Sequence, residues 1–179
     1  MDSIRLELAC LEHLIIYIDS GERSSSFFRT LIDNWNAYHR GGHFLNRNGG
    51  PHWFNRVTKK DRAKLAPALE QMDIVSPRAA AILDGRVEGV IVKDHAIPSA
   101  FIRDRMLAER PSTPDQIREF LLSWYRLGVI TEDEHKLLDD RDCRHTMPPG
   151  WNGAPGFARY VYAGIERSRG RRKLDDSFA

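Results

Sequence analysis

Asp94 and His95 stand side by side at the end of Val87-Glu88-Gly89-Val90-Ile91-Val92-Lys93-Asp94-His95, with Pro98 three residues beyond the histidine. A carboxylate beside an imidazole suits a divalent cation that must keep a position open for water. Glu132 and His135 lie three residues apart further along the chain, the spacing that puts two side chains on one face of a helix. A cation held by Asp94, Glu132 and His135 would activate water or stabilise charge on a phosphodiester, with magnesium, manganese or zinc as the candidate ions. The chemistry expected of these residues is therefore metal-dependent hydrolysis of nucleic acid.

The same residues carry a family resemblance. Asp94-His95-Ala96-Ile97-Pro98 resembles the opening of the HNH endonucleases, where an acidic residue and a histidine lie on a strand and a proline follows. Gly128-Val129-Ile130-Thr131-Glu132-Asp133-Glu134-His135 is similar to that family's closing segment, where a histidine on a helix completes the metal site. The resemblance implies that Asp94 and His135 are metal ligands and that His95 is the general base that activates water.

Three further segments offer contacts to nucleic acid or a partner. Arg144-His145-Thr146-Met147-Pro148-Pro149-Gly150-Trp151 places a phosphate-binding arginine beside a histidine that could replace His135, although Met147 and Trp151 equally suit a rigid turn. Residues 41–57 form a glycine-rich loop carrying His43, Phe44, His52, Trp53 and Phe54; Trp53 could stack on a base, or these aromatics could plug the loop onto the core. Arg167, Arg169, Arg171, Arg172 and Lys173 crowd the end of the chain, and a cluster that includes Arg169, Arg171 and Arg172 would bind an acidic surface with steep salt dependence.

Acidity upstream of that basic end sets a second class of function beside the first. Glu132, Asp133, Glu134, Asp139, Asp140 and Asp142 outnumber Lys136 and Arg141, so a helix here repels phosphate and argues against a helix-turn-helix that reads DNA. Such a face suits a basic protein surface instead. The alternative reading is a binding protein without catalysis, in the manner of a phage-encoded, anti-CRISPR-like inhibitor of a bacterial nucleic-acid-binding immune complex. The net charge of +2 decides nothing by itself. No GxSxG elbow or nucleotide-binding glycine loop is present, which removes the corresponding hydrolase and nucleotide-binding classes.

These residues need a frame to position them. With 179 residues, 41% hydrophobic and 29% charged, the chain can bury a core without staples. Cys10 and Cys143 form no CxxC pair, no run of eighteen apolar residues occurs, and the start lacks the pattern of a signal peptide. A soluble, cytoplasmic protein without a membrane span is expected.

Apolar spacing predicts a helix over Ser3–Ile18 with Ile4, Leu8, Leu11, Ile15 and Ile18 inward. A second helix follows Ser24-Ser25-Ser26 and buries Phe28, Leu31, Ile32, Trp35 and Tyr38, stopping at Gly41-Gly42. Thr58 and Ser76-Pro77 open two more helices, and residues 87–95 form the best strand. A helix over about 100–109 precedes one capped by Thr113-Pro114-Asp115-Gln116 and stopped by Gly128. Thr131-Glu132-Asp133-Glu134 caps the helix that bears His135. The expected fold is mainly α, an α+β chain with a small strand or hairpin around residues 86–95, in which an N-terminal helical hairpin packs with a helical C-terminal half. Its divisions are an N-terminal helical part at 1–75, the part with the candidate site at 76–165 and a basic tail at 166–179.

Overall fold

The computed structural model describes residues 2–52 and 56–166, together with the backbone of Ser168 and Arg169. Trp53, Arg171, Arg172 and the side chain of Arg169 lie outside the described residues. The chain is mainly helical with a small sheet, and among the described residues no helix is long and apolar enough to cross a membrane. It groups into two compact units. One joins residues 1–53 to 99–125, and the other joins 54–98 to 126–179. Both units are assembled from two stretches of chain.

The first unit is helical. Helix α1 spans Ser3–Ser20, capped by the Asp2 side chain on the Ile4 amide and ended by Gly21 in a left-handed conformation. Helix α2 spans Ser25–Arg40, with the Ser24 hydroxyl capping the Phe27 amide. The two pack together, as the hairpin expectation required, but the buried face of α1 is Cys10, Leu11, Leu14, Tyr17 and Ile18. Ile4 and Leu8, expected inward, are exposed because the packed stripe is centred on the C-terminal two-thirds of the helix. Phe28, Leu31, Ile32 and Trp35 are buried from α2 as their spacing predicts. Two helices from the second stretch complete this unit. These are α5, Ser99–Glu109, against α2, and α6, Pro114–Trp124, against α1. Tyr125 ties the end of α6 to α2 through a 2.5 Å hydrogen bond to Asp33 and an edge-on contact with Trp35.

The second unit carries a five-stranded sheet. Its strands are β1 (Arg56–Val57), β2 (Ile74–Val75), β3 (Ile91–His95), β4 (Leu127–Thr131) and β5 (Ser168–Arg169), in the order β1-β3-β4-β2-β5. Helix α3, Lys59–Leu69, contains Pro67 within its span, and α4, Pro77–Leu83, starts with the Ser76 hydroxyl on the Ala79 amide. The longest pairing is β3 against β4, antiparallel, with Asp94 opposite Gly128 and His95 opposite Leu127. Helix α7, Glu132–Asp140, leaves β4 without a loop, and α8, Ala158–Tyr162, follows the turn region.

Two expectations change here. Gly128 does not stop a helix: α6 ends at Trp124, and Gly128 is the second residue of a fully buried strand. A strand therefore replaces the turn of the helix-turn-helix pattern. The strand expected at 87–95 begins only at Ile91, where pairing with β4 and β1 starts.

Beneath the β3–β4 pair lies a core of Ile74, Ala96, Ile130, Leu138, Cys143, Tyr160, Ala163 and Ile165, with Phe157 against it. Each large side chain buried there contributes roughly 1.5–3 kcal/mol. Leu138 brings α7 into this core and Tyr160 brings α8, so the core fixes both helices beside β3.

Candidate functional site

Asp94 and His135 are brought together. β3 carries Asp94 one residue from its end, β4 runs back beside it, and α7 departs from β4 so that its second turn lies over β3. His135 Nε2 lies 3.9 Å from Asp94 Oδ1, with the two side chains 21% and 13% exposed. Donors sharing one ion through bonds near 2 Å can be no more than about 4 Å apart, so this separation is within reach.

The departure of α7 is held by a buried capping box. The Thr131 hydroxyl accepts from the Glu134 amide at 3.1 Å, and Glu134 Oε2 accepts from the Thr131 amide at 2.8 Å. The same oxygen accepts from the Ser76 hydroxyl at 2.6 Å, which couples the start of α7 to the start of α4. With Glu134 turned inward by these bonds, His135 falls on the partly exposed flank of α7.

Asp94 is held from its other side. Its Oδ2 accepts from the Tyr160 hydroxyl at 2.8 Å and from Arg159 Nη2, while Oδ1 is the oxygen nearest His135. Arg159 is fully buried and also donates to the carbonyls of His95, Ala96, Cys143 and Arg144. Burial, and then the Asp94 charge, push the Tyr160 phenol well above its ordinary range, so it stays protonated and donates.

The other candidates are placed elsewhere. Glu132 belongs to the opposite end of β3: its amide donates to Val90 and Thr131 pairs with Ile91, three residues or roughly 10 Å along the strand from Asp94. Its carboxylate forms an ion pair with Arg56 at 2.9 Å. His95 is buried at 9% exposure, and strand alternation directs it to the face opposite Asp94. Arg144 pairs with Asp139 at 3.0 Å and His145 is exposed, in a turn where the Trp151 indole donates to the Pro155 carbonyl. The acidic run is partly neutralised by its own cations, since Asp133 pairs with Lys136 in addition to the Glu132–Arg56 and Asp139–Arg144 pairs. Of the loop aromatics, Phe44 is buried, as the plug reading expected.

Arg159 and Tyr160 are the neighbours of Asp94 that the sequence does not mark as site residues, Tyr160 reading only as part of a last apolar element. Their only signal is position, two polar side chains that follow Phe157-Ala158 in a short apolar segment.

Among the described residues no group of three or more His, Cys, Asp or Glu side chains is arranged to hold a metal ion. The donor pair that is present, one carboxylate oxygen and one imidazole nitrogen, fits a hydrated ion that takes its remaining ligands from water and phosphate, as magnesium does with one or two protein ligands. Imidazole suits zinc and other later first-row ions, while carboxylate, water and phosphate suit magnesium and manganese. Compared with known proteins, the chain matches no family model, no curated protein and no solved structure.

Proposed function

We propose that the protein is a metal-dependent nuclease in which Asp94 and His135 hold a divalent cation against a phosphodiester of nucleic acid. The observation that carries this reading is the 3.9 Å approach of His135 Nε2 to Asp94 Oδ1. These are the two residues to which the HNH resemblance gives the role of ligand, and they meet although about forty residues separate them. A bound divalent ion would supply Lewis acidity towards phosphate oxygens and a more acidic water.

The chain's own residues have distinct parts in this reading. Asp94 contributes charge through Oδ1, while Arg159 and Tyr160 fix the carboxylate through Oδ2. Ligating carboxylates are commonly oriented by such outer partners. The guanidinium also repels an incoming cation, so affinity is low without the phosphate. Glu132 is left out because Arg56 occupies its carboxylate, and the base role for His95 is left out because its side chain is buried and directed to the other face. A purely basic-surface binder is the weaker reading, since α7 spends much of its charge on Arg56, Lys136 and Arg144.

The test is cleavage of linear DNA and of RNA by purified protein with magnesium or manganese. Cutting is expected with one of these ions and is expected to fall roughly 100-fold or more in His135→Ala, a partly exposed position whose loss leaves the core intact. Absence of cutting with every divalent ion on both nucleic acids would sink the proposal.

A further inference from the structure

Tyr160 sits on α8, outside the sheet, and its hydroxyl reaches the Asp94 carboxylate on β3 at 2.8 Å. The residue directly opposite Asp94 in the β3–β4 ladder is Gly128. A Cβ at Gly128 would lie inside van der Waals contact with the Tyr160 hydroxyl and 2.9 Å from two of its ring carbons, closer than real Cβ atoms come. Any side chain at that position would therefore displace the phenol. Gly128 is at an ordinary strand position without a positive φ, so its lack of a side chain, rather than backbone freedom, is what the site uses.

We propose that Tyr160 is a positioning residue of this site: its hydroxyl, seated over Gly128, holds Asp94 with Oδ1 turned to His135. Tyr160 touches neither His135 nor any reacting group and acts through Asp94. A carboxylate with two oxygens and a rotatable Cβ–Cγ bond needs more than one donor to fix its plane. Arg159 supplies one from the chain end of β3 and Tyr160 supplies the second from above Gly128. The phenol is buried and faces a carboxylate oxygen at 2.8 Å, so it holds Asp94 as a donor. The inference gains its functional meaning from the metal-site reading, but the geometry it describes exists without metal.

The experiment follows the His135 ring resonances by NMR in metal-free full-length protein. Tyr160→Phe keeps the ring's volume and removes the hydroxyl; Gly128→Ala keeps the hydroxyl and crowds it off Asp94. Both are expected to displace the His135 ring signals by more than a line width, and the effect of Tyr160→Phe is expected to vanish when Asp94 is already Asn, as a double-mutant cycle requires for action through Asp94. A ring shift that persists in the Asp94→Asn background would show a general packing effect. His135 signals that superimpose on wild type in Tyr160→Phe would overturn the proposal outright. A subsequent manganese titration of the wild type separates the two ideas: if no ion binds, the nuclease reading fails while the Tyr160 result stands.

Discussion

Arg159 places five hydrogen bonds from one guanidinium at the junction of β3, the end of α7 and α8: to Asp94 and to the carbonyls of His95, Ala96, Cys143 and Arg144. A buried ion pair contributes little net stability against a well-packed apolar substitute, but removing one partner leaves the other charge and several carbonyls unpaired. Arg159→Met is therefore expected to cost about 3–5 kcal/mol in urea unfolding, with most of the loss traced to the stranded Asp94 carboxylate. A variant as stable as wild type would show that Asp94 finds water instead. At this scale the sequence is legible in part. Asp94 and His135 stand out because acids and histidines at strand ends and on helix faces invite ligation. Arg159 does not, because an arginine in a short helical segment ordinarily points to solvent, and only tertiary packing decides that this one is buried. The same packing removes Glu132: its i, i+3 relation to His135 is real, but β3 pairing places it at the wrong end of the strand.

At the level of elements, α7 is the decisive one, since its exit angle from β4 sets where His135 lies. Thr131 and Glu134 form the reciprocal cap that their spacing announces, and Ser76 adds a bond to the same buried carboxylate oxygen. Glu134→Ala leaves the Thr131 amide and the Ser76 hydroxyl without that acceptor in a buried place, and a loss of about 1–3 kcal/mol is expected in thermal or urea unfolding. The change should also weaken any activity that depends on His135. An unfolding midpoint equal to wild type would mean that the cap does not hold α7. Caps are legible because they are local: Ser24, Ser76, Thr113 and Thr131 each accept from a first-turn amide, whereas Thr58, expected to cap α3, donates to the Asp61 carboxylate instead. β4 was not legible for the opposite reason. Leu127-Gly128-Val129-Ile130-Thr131 is buried at every position, so it shows no alternation, and its glycine looks like a helix stop when the strands on either side are unknown.

Across the whole molecule, residues 99–125 depart from the end of β3 and return at the start of β4. They form two helices that pack into the first unit, while the strands they separate pair with each other in the second. That arrangement brings Asp94 and His135 together across a long stretch of sequence. Periodicity alone could identify the helices but not assign them to units, because the assignment depends on which apolar faces meet. A cation site confined to the second unit has a signature in the protein as a whole. A manganese titration followed by paramagnetic broadening reads every resonance at once. The account predicts that the His135 ring signals and those around Asp94 broaden first and saturably. Broadening that spreads over acidic surface positions of both units and leaves His135 no more affected than they are would contradict it.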